Sequence, residues 1–339
     1  MRTGGLRDPK LWIGLALSCV FLYLALRGMD AREVVGALDR ADYRLLVPAF
    51  LLTYLVLWGR ARRWGVLLRG VRRVDTWLLF RVTLIGFLAN YLLPARAGEV
   101  VRALLLGKRG QLSASAAFGT VVVERVMDLL SILSIFSLVS FFAAVPHRDG
   151  QLEQLLRSTA LLLMGVAAVL VVVLWLLKKR TQAMVRFVEG TLGRVSIRGS
   201  SGLGRAMVAF AQGISPARGG KEILEIVFWT AWLWLISAAI VVILAEAMGL
   251  GIPWSASWFV LVALGLGVSV PSAPGFVGTF HYAAMASLML YGVERNQALS
   301  FAILLHALCV VPVLALGMPL LWMEGLSLRK MRRWPKDDA

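Results

Sequence analysis

Ionisable side chains cluster around a helix-breaking run in the first half of the chain. The segment Asn90–Arg102 carries Arg96, Glu99 and Arg102 within an otherwise apolar stretch. Arginine guanidinium groups bind phosphate through forked, charge-assisted hydrogen bonds. A helix that restarts near Gly98 would add free backbone N–H groups and the positive end of its dipole. The pattern therefore predicts an anion site, whose substrate-binding residues are Asn90, Arg96, Gly98, Glu99 and Arg102.

Glu99 lies about one helical turn before Arg102, so it is expected to neutralise this arginine when the site is empty. The alternative is that these charges pair only with one another and stabilise the break. Ionisable residues at membrane depth are costly and often functional, which favours the binding interpretation.

A second charged group follows in the next apolar segment. Glu124 and Asp128 are spaced four residues apart, which places both carboxylates on one face of a helix, with Arg125 beside them. Charged side chains in an apolar segment need oppositely charged partners or water to offset the loss of hydration. The group is expected to form a wall of the same cavity; an internal salt bridge without substrate contact is the alternative.

The second half of the chain has a break of its own but fewer charges. Its candidate substrate-binding residues are Pro274, Gly275, Gly278, His281 and His306. The glycines permit close backbone approach, and a histidine can donate to a phosphate oxygen or carry a proton. A hydrogen-bonded packing role is the alternative for each histidine. With three His and two Cys in all, the sequence predicts no catalytic residue, no metal site and no cofactor.

The elements that position these residues are membrane-spanning helices. The chain of 339 residues is 59% hydrophobic and only 16% charged, with a mean hydropathy of +0.77. This composition predicts an all-α, polytopic transmembrane helix bundle that forms a single integral membrane domain over residues 1–339. Its six complete spans are predicted at about Leu11–Leu26, Leu45–Trp58, Ala114–Val145, Leu155–Leu177, Ile223–Met248 and Ala298–Met323.

Two longer apolar units, Trp77–Leu106 and Trp254–Tyr291, contain the breaks. Pro94–Gly98 and Pro271–Gly275 both read Pro-x-x-x-Gly and lie 177 positions apart. Broken backbone in corresponding positions of two halves is typical of transporters built from inverted repeats. We therefore predict two re-entrant hairpins, with a first repeat over about 10–145 and a second over about 152–325.

The distribution of basic residues agrees with this topology. If both units are hairpins, the clusters in Arg60–Arg73 and Lys178–Lys221 fall in loops on the same side, as the positive-inside rule requires. Both termini are then cytoplasmic. The net charge of +17 is explained by these loops and by anionic lipid, so nucleic acid is not an expected partner.

Three segments also resemble a known family. Asn90–Arg102, the pair Glu124 and Arg125, and Pro274–Gly278 are similar to motifs of the lysylphosphatidylglycerol synthase transmembrane region family, and the resemblance covers nearly the whole chain. It implies a bacterial or archaeal inner-membrane protein whose relatives are assigned to lipid translocation.

The same resemblance has two departures. Many relatives have Glu where His281 stands and Arg where His306 stands, so a role built on that pair does not carry over. The soluble aminoacyl-transfer domain of the full synthases has no counterpart in this sequence, so the family name does not imply that activity.

Three functions are compatible with these observations. The leading one is a flippase or carrier that moves a lipid or lipid-linked head group across the membrane, with membrane lipids as its partners. The alternatives are a membrane-embedded lipid-modifying transferase, in which paired carboxylates act as acid and base, and a noncatalytic partner in envelope biogenesis. A cavity with both charge signs suits cationic aminoacylated lipid, anionic phospholipid, polyprenyl phosphate or hopanoid-type cargo.

Overall fold

The protein is an all-α helix bundle, as predicted. The computed structural model describes residues 9–93, 96–110, 112–142, 154–155, 157–172, 219–270 and 272–325. Within these ranges the α-helices, numbered in chain order, are α1 (Pro9–Leu26), α2 (Ala31–Asp39), α3 (Tyr43–Leu68), α4 (Thr76–Leu92), α5 (Gly98–Arg109), α6 (Ala114–Phe142), α7 (Arg157–Val172), α8 (Gly220–Ala247), α9 (Trp254–Ser269), α10 (Thr279–Met289) and α11 (Arg295–Met323). A short 3-10 helix, Pro274–Phe276, lies between α9 and α10.

Acidic side chains fix the beginnings of several helices. Asp42 accepts a hydrogen bond from the N–H of Arg44 at the start of α3, and Asp75 accepts from Leu78 at the start of α4. Glu294 accepts from Asn296 at the start of α11. Each cap satisfies a backbone donor that the helix itself leaves free and stabilises the helix by about 1 kcal/mol.

The described helices account for fewer complete crossings than the six predicted. Among the described helices, α3, α8 and α11 are long and apolar enough to span a bilayer, and a fourth span results if α1 and α2, bent by 81°, are counted together. Six spans are therefore not confirmed. The predicted span 155–177 is described only as far as Val172, and Ala114–Val145 only as far as Phe142; α6 carries three charged residues in its middle.

The helix α3 also continues ten residues beyond the predicted end at Trp58, to Leu68. The prediction that Arg60–Arg73 is a loop is therefore wrong for its first half. Close packing on α8 stabilises the extension: a Cβ on Gly59 would lie 2.7 Å from the Trp232 ring, so only glycine admits the tryptophan here.

One end of the bundle, which we call the basic end, carries the ends of five helices. Arg69, just after α3, forms a salt bridge of 2.8 Å with Glu225 in the first turns of α8. Glu324, just after α11, binds both Arg81 in α4 and Arg109 at the end of α5, each at 2.9 Å. Arg69, Arg73 and Lys221 thus lie at the same end of the bundle. Residues 178–218 of the predicted basic cluster Lys178–Lys221 lie outside the described part of the chain.

The opposite end carries α2, the starts of α3 and α11 and the end of α8. The N–H of Asp30 donates to the Asn296 side chain at 3.2 Å, which joins α2 to the start of α11. The N–H of Asp42 donates to the carbonyl of Ala247 at 2.7 Å, which joins the start of α3 to the end of α8. The side-chain amide of Asn296 also donates a hydrogen bond to the carboxylate of Glu33.

Each break joins a pair of helices, which we call a broken unit: α4 and α5 form the first, and α9 and α10 form the second. The two broken units enter the bundle from opposite ends and meet at their tips. Helix α4 begins and α5 ends at the basic end, where Arg81 and Arg109 share Glu324. Helix α9 begins seven positions after α8 ends, at the other end, and there Phe259 of α9 packs on Tyr291 beyond α10. At the tips, the rings of Tyr91 and Phe276 lie 6.2 Å apart.

Packing between helices follows the proposed repeat. Helix α5 packs on α6 as α10 packs on α11, α4 packs on α11 as α9 packs on α6, and α3 and α8 pack on each other. Each of these contacts has a counterpart in the other half, as an internal two-fold axis would require, whereas the contacts of α11 with α2 and α3 have none among the described helices. The inverted repeat and its boundaries remain predictions that this correspondence supports.

The alignment of the first break with the second differs from the predicted one. Pro274–Gly278 also reads Pro-x-x-x-Gly, and it matches Pro94–Gly98 better than Pro271–Gly275 does, because α5 begins at Gly98 and α10 begins just after Gly278. Arg96 and Phe276, the described non-glycine residues with left-handed backbone (φ 52° and 58°), then become equivalent. The two breaks are therefore 180 positions apart and not 177. The sequence alone could not show this, because two overlapping copies of the pattern occur in the second half.

Candidate functional site

A buried ion-pair network lies where α3, α5 and α6 meet. Glu124 is fully buried and accepts hydrogen bonds from Arg102 at 2.9 Å, Arg125 at 3.0 Å and Arg63 at 3.4 Å. Asp128, one turn later, binds Arg63 at 2.6 Å. Each carboxylate therefore joins cations from more than one helix.

The network extends outward from Asp128. Arg125 lies 3.1 Å from Asp128, and Arg60 lies 3.4 Å from it. Arg125 also approaches Glu99 at 4.0 Å. We call the seven side chains the ion-pair network: Arg60, Arg63, Glu99, Arg102, Glu124, Arg125 and Asp128. Four arginines face three carboxylates, so the network carries one net positive charge.

Close packing holds Arg102 in place. Its guanidinium lies 4.2 Å from the centre of the Trp64 ring, and the indole N–H of Trp64 donates to Thr120 at 2.9 Å. Gly86 of α4 makes room for the stem of Arg102, because a Cβ there would lie 2.2 Å from Arg102 Cγ. Arg102 pairs with Glu124 and not with Glu99, so the predicted neutralisation of Arg102 by Glu99 is wrong.

The N-terminus of α5 is not free, in contrast to the prediction. The N–H of Gly98 donates to the side chain of Asn90 at 2.8 Å, and the N–H of Glu99 donates to the carbonyl of Arg96 at 3.3 Å. Gly98 is buried against α4, where a Cβ would lie 1.9 Å from the carbonyl oxygen of Gly86. Asn90 and Gly98 thus hold the start of α5 against α4.

A cavity of about 530 Å³ lies beside the network, between the two broken units. We call it the central cavity. Five charged side chains line one part of it: Arg60, Arg96, Glu99, Arg125 and Asp128. The other part is mainly apolar and comes from the second half of the chain, with lining residues that include Leu233, Trp234, Leu261, Leu264, Val268, Phe276 and Phe280. A charged wall thus faces an apolar wall across one space.

Arg96 lies at the tip of the first broken unit and lines the central cavity. Its guanidinium is 5.8 Å from the centre of the Phe276 ring. Among the described residues, no carboxylate lies within salt-bridge distance of Arg96, unlike the arginines of the ion-pair network. A cation that contacts an aromatic face and no acid is well placed to bind an anionic group.

The candidates of the second break form a separate group behind the cavity wall. His306 Nε2 lies 2.8 Å from the carbonyl oxygen of Gly275, and the rings of His281 and His306 have centres 4.8 Å apart. Phe280, which lines the cavity, packs on His306 at 4.8 Å. The two histidines thus support the break and do not line the cavity.

Pro274 and Gly278 shape the second tip. Pro274 begins the 3-10 turn. Gly278 has a φ of 91°, and a Cβ there would lie 2.4 Å from the carbonyl oxygen of Ser18 in α1. Ser18 also accepts a hydrogen bond from the N–H of Ala273 at 2.6 Å. Helix α1 therefore anchors the tip of the second broken unit.

The structure brings Asn90, Arg96, Glu99, Arg125 and Asp128 together around the cavity and buries Arg102 and Glu124 behind them. Sequence reasoning missed Arg60 and Arg63, which it assigned to a loop. Their spacing of three residues puts both on one face of a helix, and this pattern could have identified them.

The arrangement suits reversible binding of an anion next to apolar groups. The described residues contain no group of three or more His, Cys, Asp and Glu side chains that could hold a metal ion. The acids that line the cavity are engaged by arginines of the ion-pair network, and the charged wall carries one net positive charge, which Arg96 supplies.

Comparisons with known proteins agree with the sequence resemblance. The model of the lysylphosphatidylglycerol synthase transmembrane region matches residues 11–317. A membrane protein of the UPF0104 group from Methanothermobacter thermautotrophicus is 24% identical and covers 91% of this chain and 92% of its own length.

A protein named glycosyltransferase AglD, from Haloferax volcanii, is 26% identical over 89% of this chain. The chain spans about half the length of AglD, 52%. No solved structure matches the chain significantly.

Proposed function

The chain belongs to the lysylphosphatidylglycerol synthase transmembrane region family, and we propose that this multi-pass membrane protein is a lipid carrier of the cytoplasmic membrane. The observation that carries the proposal is the central cavity, in which a cationic wall faces an apolar wall at the contact between two broken helical units. A lipid has the same two chemical parts, so its head group and the start of its tails can occupy one space.

The head group is expected to be anionic or to contain a phosphate. Three arginines and two carboxylates line the cavity, and both carboxylates belong to the ion-pair network. Arg96 is then available to the ligand, and Arg60 and Arg125 complete a cationic surface beside it. Arginine suits this role because its planar fork matches two phosphate oxygens.

The contact between the two tips suits a carrier whose halves separate. It includes the edge of Tyr91 on the Phe276 ring and Arg96 over the same ring. Such contacts are worth about 0.5–1.5 kcal/mol each. Left-handed backbone at Arg96 and Phe276 costs about 1–3 kcal/mol at each residue. Breaking the two ring contacts would therefore cost only about 1–3 kcal/mol.

A liposome assay tests this proposal. Purified protein is reconstituted with a panel of fluorescent lipids, and the movement of label between leaflets is measured by dithionite quenching. We expect translocation of a phosphate-bearing lipid, and Arg96→Ala should slow it about tenfold or more, since a charge-assisted hydrogen bond contributes about 1.5–3 kcal/mol. The matched control is Arg44→Ala, which removes an exposed arginine at the start of α3 and should leave the rate unchanged.

Two results would contradict the proposal. One is the absence of translocation for every lipid in the panel by protein that is folded. The other is a rate for Arg96→Ala equal to that of the parent protein, because the cavity would then not be the path.

One observation favours a second candidate, a membrane-embedded glycosyl or lipid-modifying transferase. The relative AglD is named a glycosyltransferase, and its match covers most of this chain. The carboxylates here are poorly suited to general base catalysis, because Glu124 contacts three arginines and Asp128 contacts three. Formation of a modified lipid by the purified protein from lipid-linked sugar donors would support the transferase instead.

A further inference from the structure

A second cavity, of about 760 Å³, lies at the basic end between α3, α4 and α8. We call it the basic pocket. It shares no lining residue with the central cavity. Its lining residues are Arg62, Gly65, Arg69, Arg73, Val74, Thr76, Gly219, Lys221, Glu222 and Glu225.

Four cations and two carboxylates line the basic pocket, so its net charge is positive. Both carboxylates have partners: Glu225 binds Arg69 at 2.8 Å, and Glu222 accepts from the N–H of Gly219 at 3.4 Å. Among the described residues, neither Arg73 nor Lys221 has a carboxylate within salt-bridge distance. These two cations remain available for an anion.

Arg62 forms the inner wall of the pocket. Its guanidinium donates to the Thr76 hydroxyl at 3.0 Å and lies 5.5 Å from the centre of the Trp229 ring. Arg63, the next residue, points into the ion-pair network instead. Two consecutive arginines of α3 therefore serve two separate sites.

Aromatic residues place the pocket at the level of lipid head groups. Trp77, at the start of α4, is half exposed and stacks on Phe80 with ring centres 5.4 Å apart. Phe228, Trp229 and Trp232 pack together in the third and fourth turns of α8. Tryptophan concentrates at the boundary between hydrocarbon and head groups, so a pocket between these two groups opens where lipid phosphates lie.

We propose that the basic pocket binds a phosphate group, supplied either by an anionic lipid of the adjacent leaflet or by a soluble phosphate ester. Basic pockets between transmembrane helices bind anionic head groups by the same chemistry. The proposal is independent of lipid transport, because the pocket and the central cavity have different residues. It predicts a second ligand on a protein whose central cavity is disabled.

Titration of the full chain in detergent tests this assignment. Apparent affinity is measured from the thermal shift with short-chain phosphatidic acid, with glycerol phosphate, and with short-chain phosphatidylcholine as the zwitterionic reference. All variants carry Arg96→Ala, so that binding at the central cavity is weakened and the remaining response reports on the pocket. The pocket variant is Arg73→Gln with Lys221→Gln, and the matched control is Arg72→Gln, which removes an exposed neighbouring arginine outside the pocket.

Each removed cation should weaken binding about fivefold, so the apparent affinity of the double variant should be about 25-fold lower. The apparent affinity of the Arg72→Gln control should change by less than about twofold. Binding of both phosphate compounds would support the assignment and show that the phosphate alone suffices; binding of phosphatidic acid only would support it with the leaflet as the source. Equal affinities for the double variant and its parent, or an equal loss in the control, would overturn it. Arg73 and Lys221 are exposed and form no described salt bridge, so the double variant should fold, which tryptophan emission checks directly.

Discussion

Replacing Glu124 by glutamine removes the charge at the centre of the ion-pair network while keeping the shape of the side chain. Glu124 is fully buried and contacts Arg63, Arg102 and Arg125 at 3.4, 2.9 and 3.0 Å. Without it, these arginines have only Asp128 and the distant Glu99 as counter-charges. Removing one partner from a buried ion pair costs about 3–5 kcal/mol, because an uncompensated charge stays in a low-dielectric site. We expect Glu124→Gln to destabilise the protein by about this amount.

The assay is reversible denaturant unfolding in micelles, followed by the emission of the 12 tryptophans. The matched control is Glu99→Gln, which removes the same charge at the edge of the network, where Arg125 is 4.0 Å away and the carboxylate is partly exposed. The free energy of unfolding of Glu99→Gln should be lower than that of the parent protein by less than about 1 kcal/mol.

A double-mutant cycle separates the interaction energy between Arg102 and Glu124 from the general loss of stability that each substitution causes. Arg102→Met removes the strongest partner of Glu124 and keeps an unbranched apolar stem. The combined variant Arg102→Met with Glu124→Gln restores the charge balance, so its loss should be smaller than the sum of the single losses by about 1–3 kcal/mol. Equal losses for Glu124→Gln and Glu99→Gln, or strict additivity in the cycle, would refute the claim that Glu124 organises the network.

Two further substitutions test the packing of the broken units, each by the same unfolding measurement. Gly86→Ala should destabilise the protein by about 1–3 kcal/mol, because its Cβ would lie 2.2 Å from Arg102 Cγ. The control Gly165→Ala in α7, where an added Cβ would meet nothing within 4 Å, should be neutral or stabilising. Equal effects of the two substitutions would contradict the predicted clash. His306→Leu should cost about 1–3 kcal/mol, because the carbonyl of Gly275 would lose its donor, and His306→Gln should recover part of that; a leucine variant as stable as the parent would show that the hydrogen bond is unimportant.

The sequence predicted the fold class and most of the helices because hydropathy and helix breakers are local properties. The breaks at Pro94–Gly98 and before α10 interrupt apolar runs, and broken backbone at membrane depth marks a site in many carriers. The family assignment from the same segments is confirmed.

The composition of the site was harder to predict because it depends on tertiary packing. Arg60 and Arg63 look like loop residues by charge alone, and only the continuation of α3 to Leu68 turns them toward α6. The partner of Arg102 also could not be predicted, because Glu99 is close in sequence while Glu124 is close in space. Local spacing therefore identified the charged residues but not their pairing.

The register of the two breaks shows the same limit of local pattern. Two overlapping copies of Pro-x-x-x-Gly occur between Pro271 and Gly278. The backbone conformations of Arg96 and Phe276 select the second copy, and no composition rule contains that information.

The central claim is that the cavity between the two broken units holds a lipid head group beside Arg96. An experimental structure of the protein in nanodiscs that contain a phosphate-bearing lipid tests this most directly. We predict head-group density in the central cavity, with phosphate oxygens within hydrogen-bonding distance of Arg96 and of Arg60 or Arg125, and acyl density along the wall formed by Leu264 and Phe280. A cavity that contains only acyl chains or water, with ordered head groups bound elsewhere on the protein, would contradict the account.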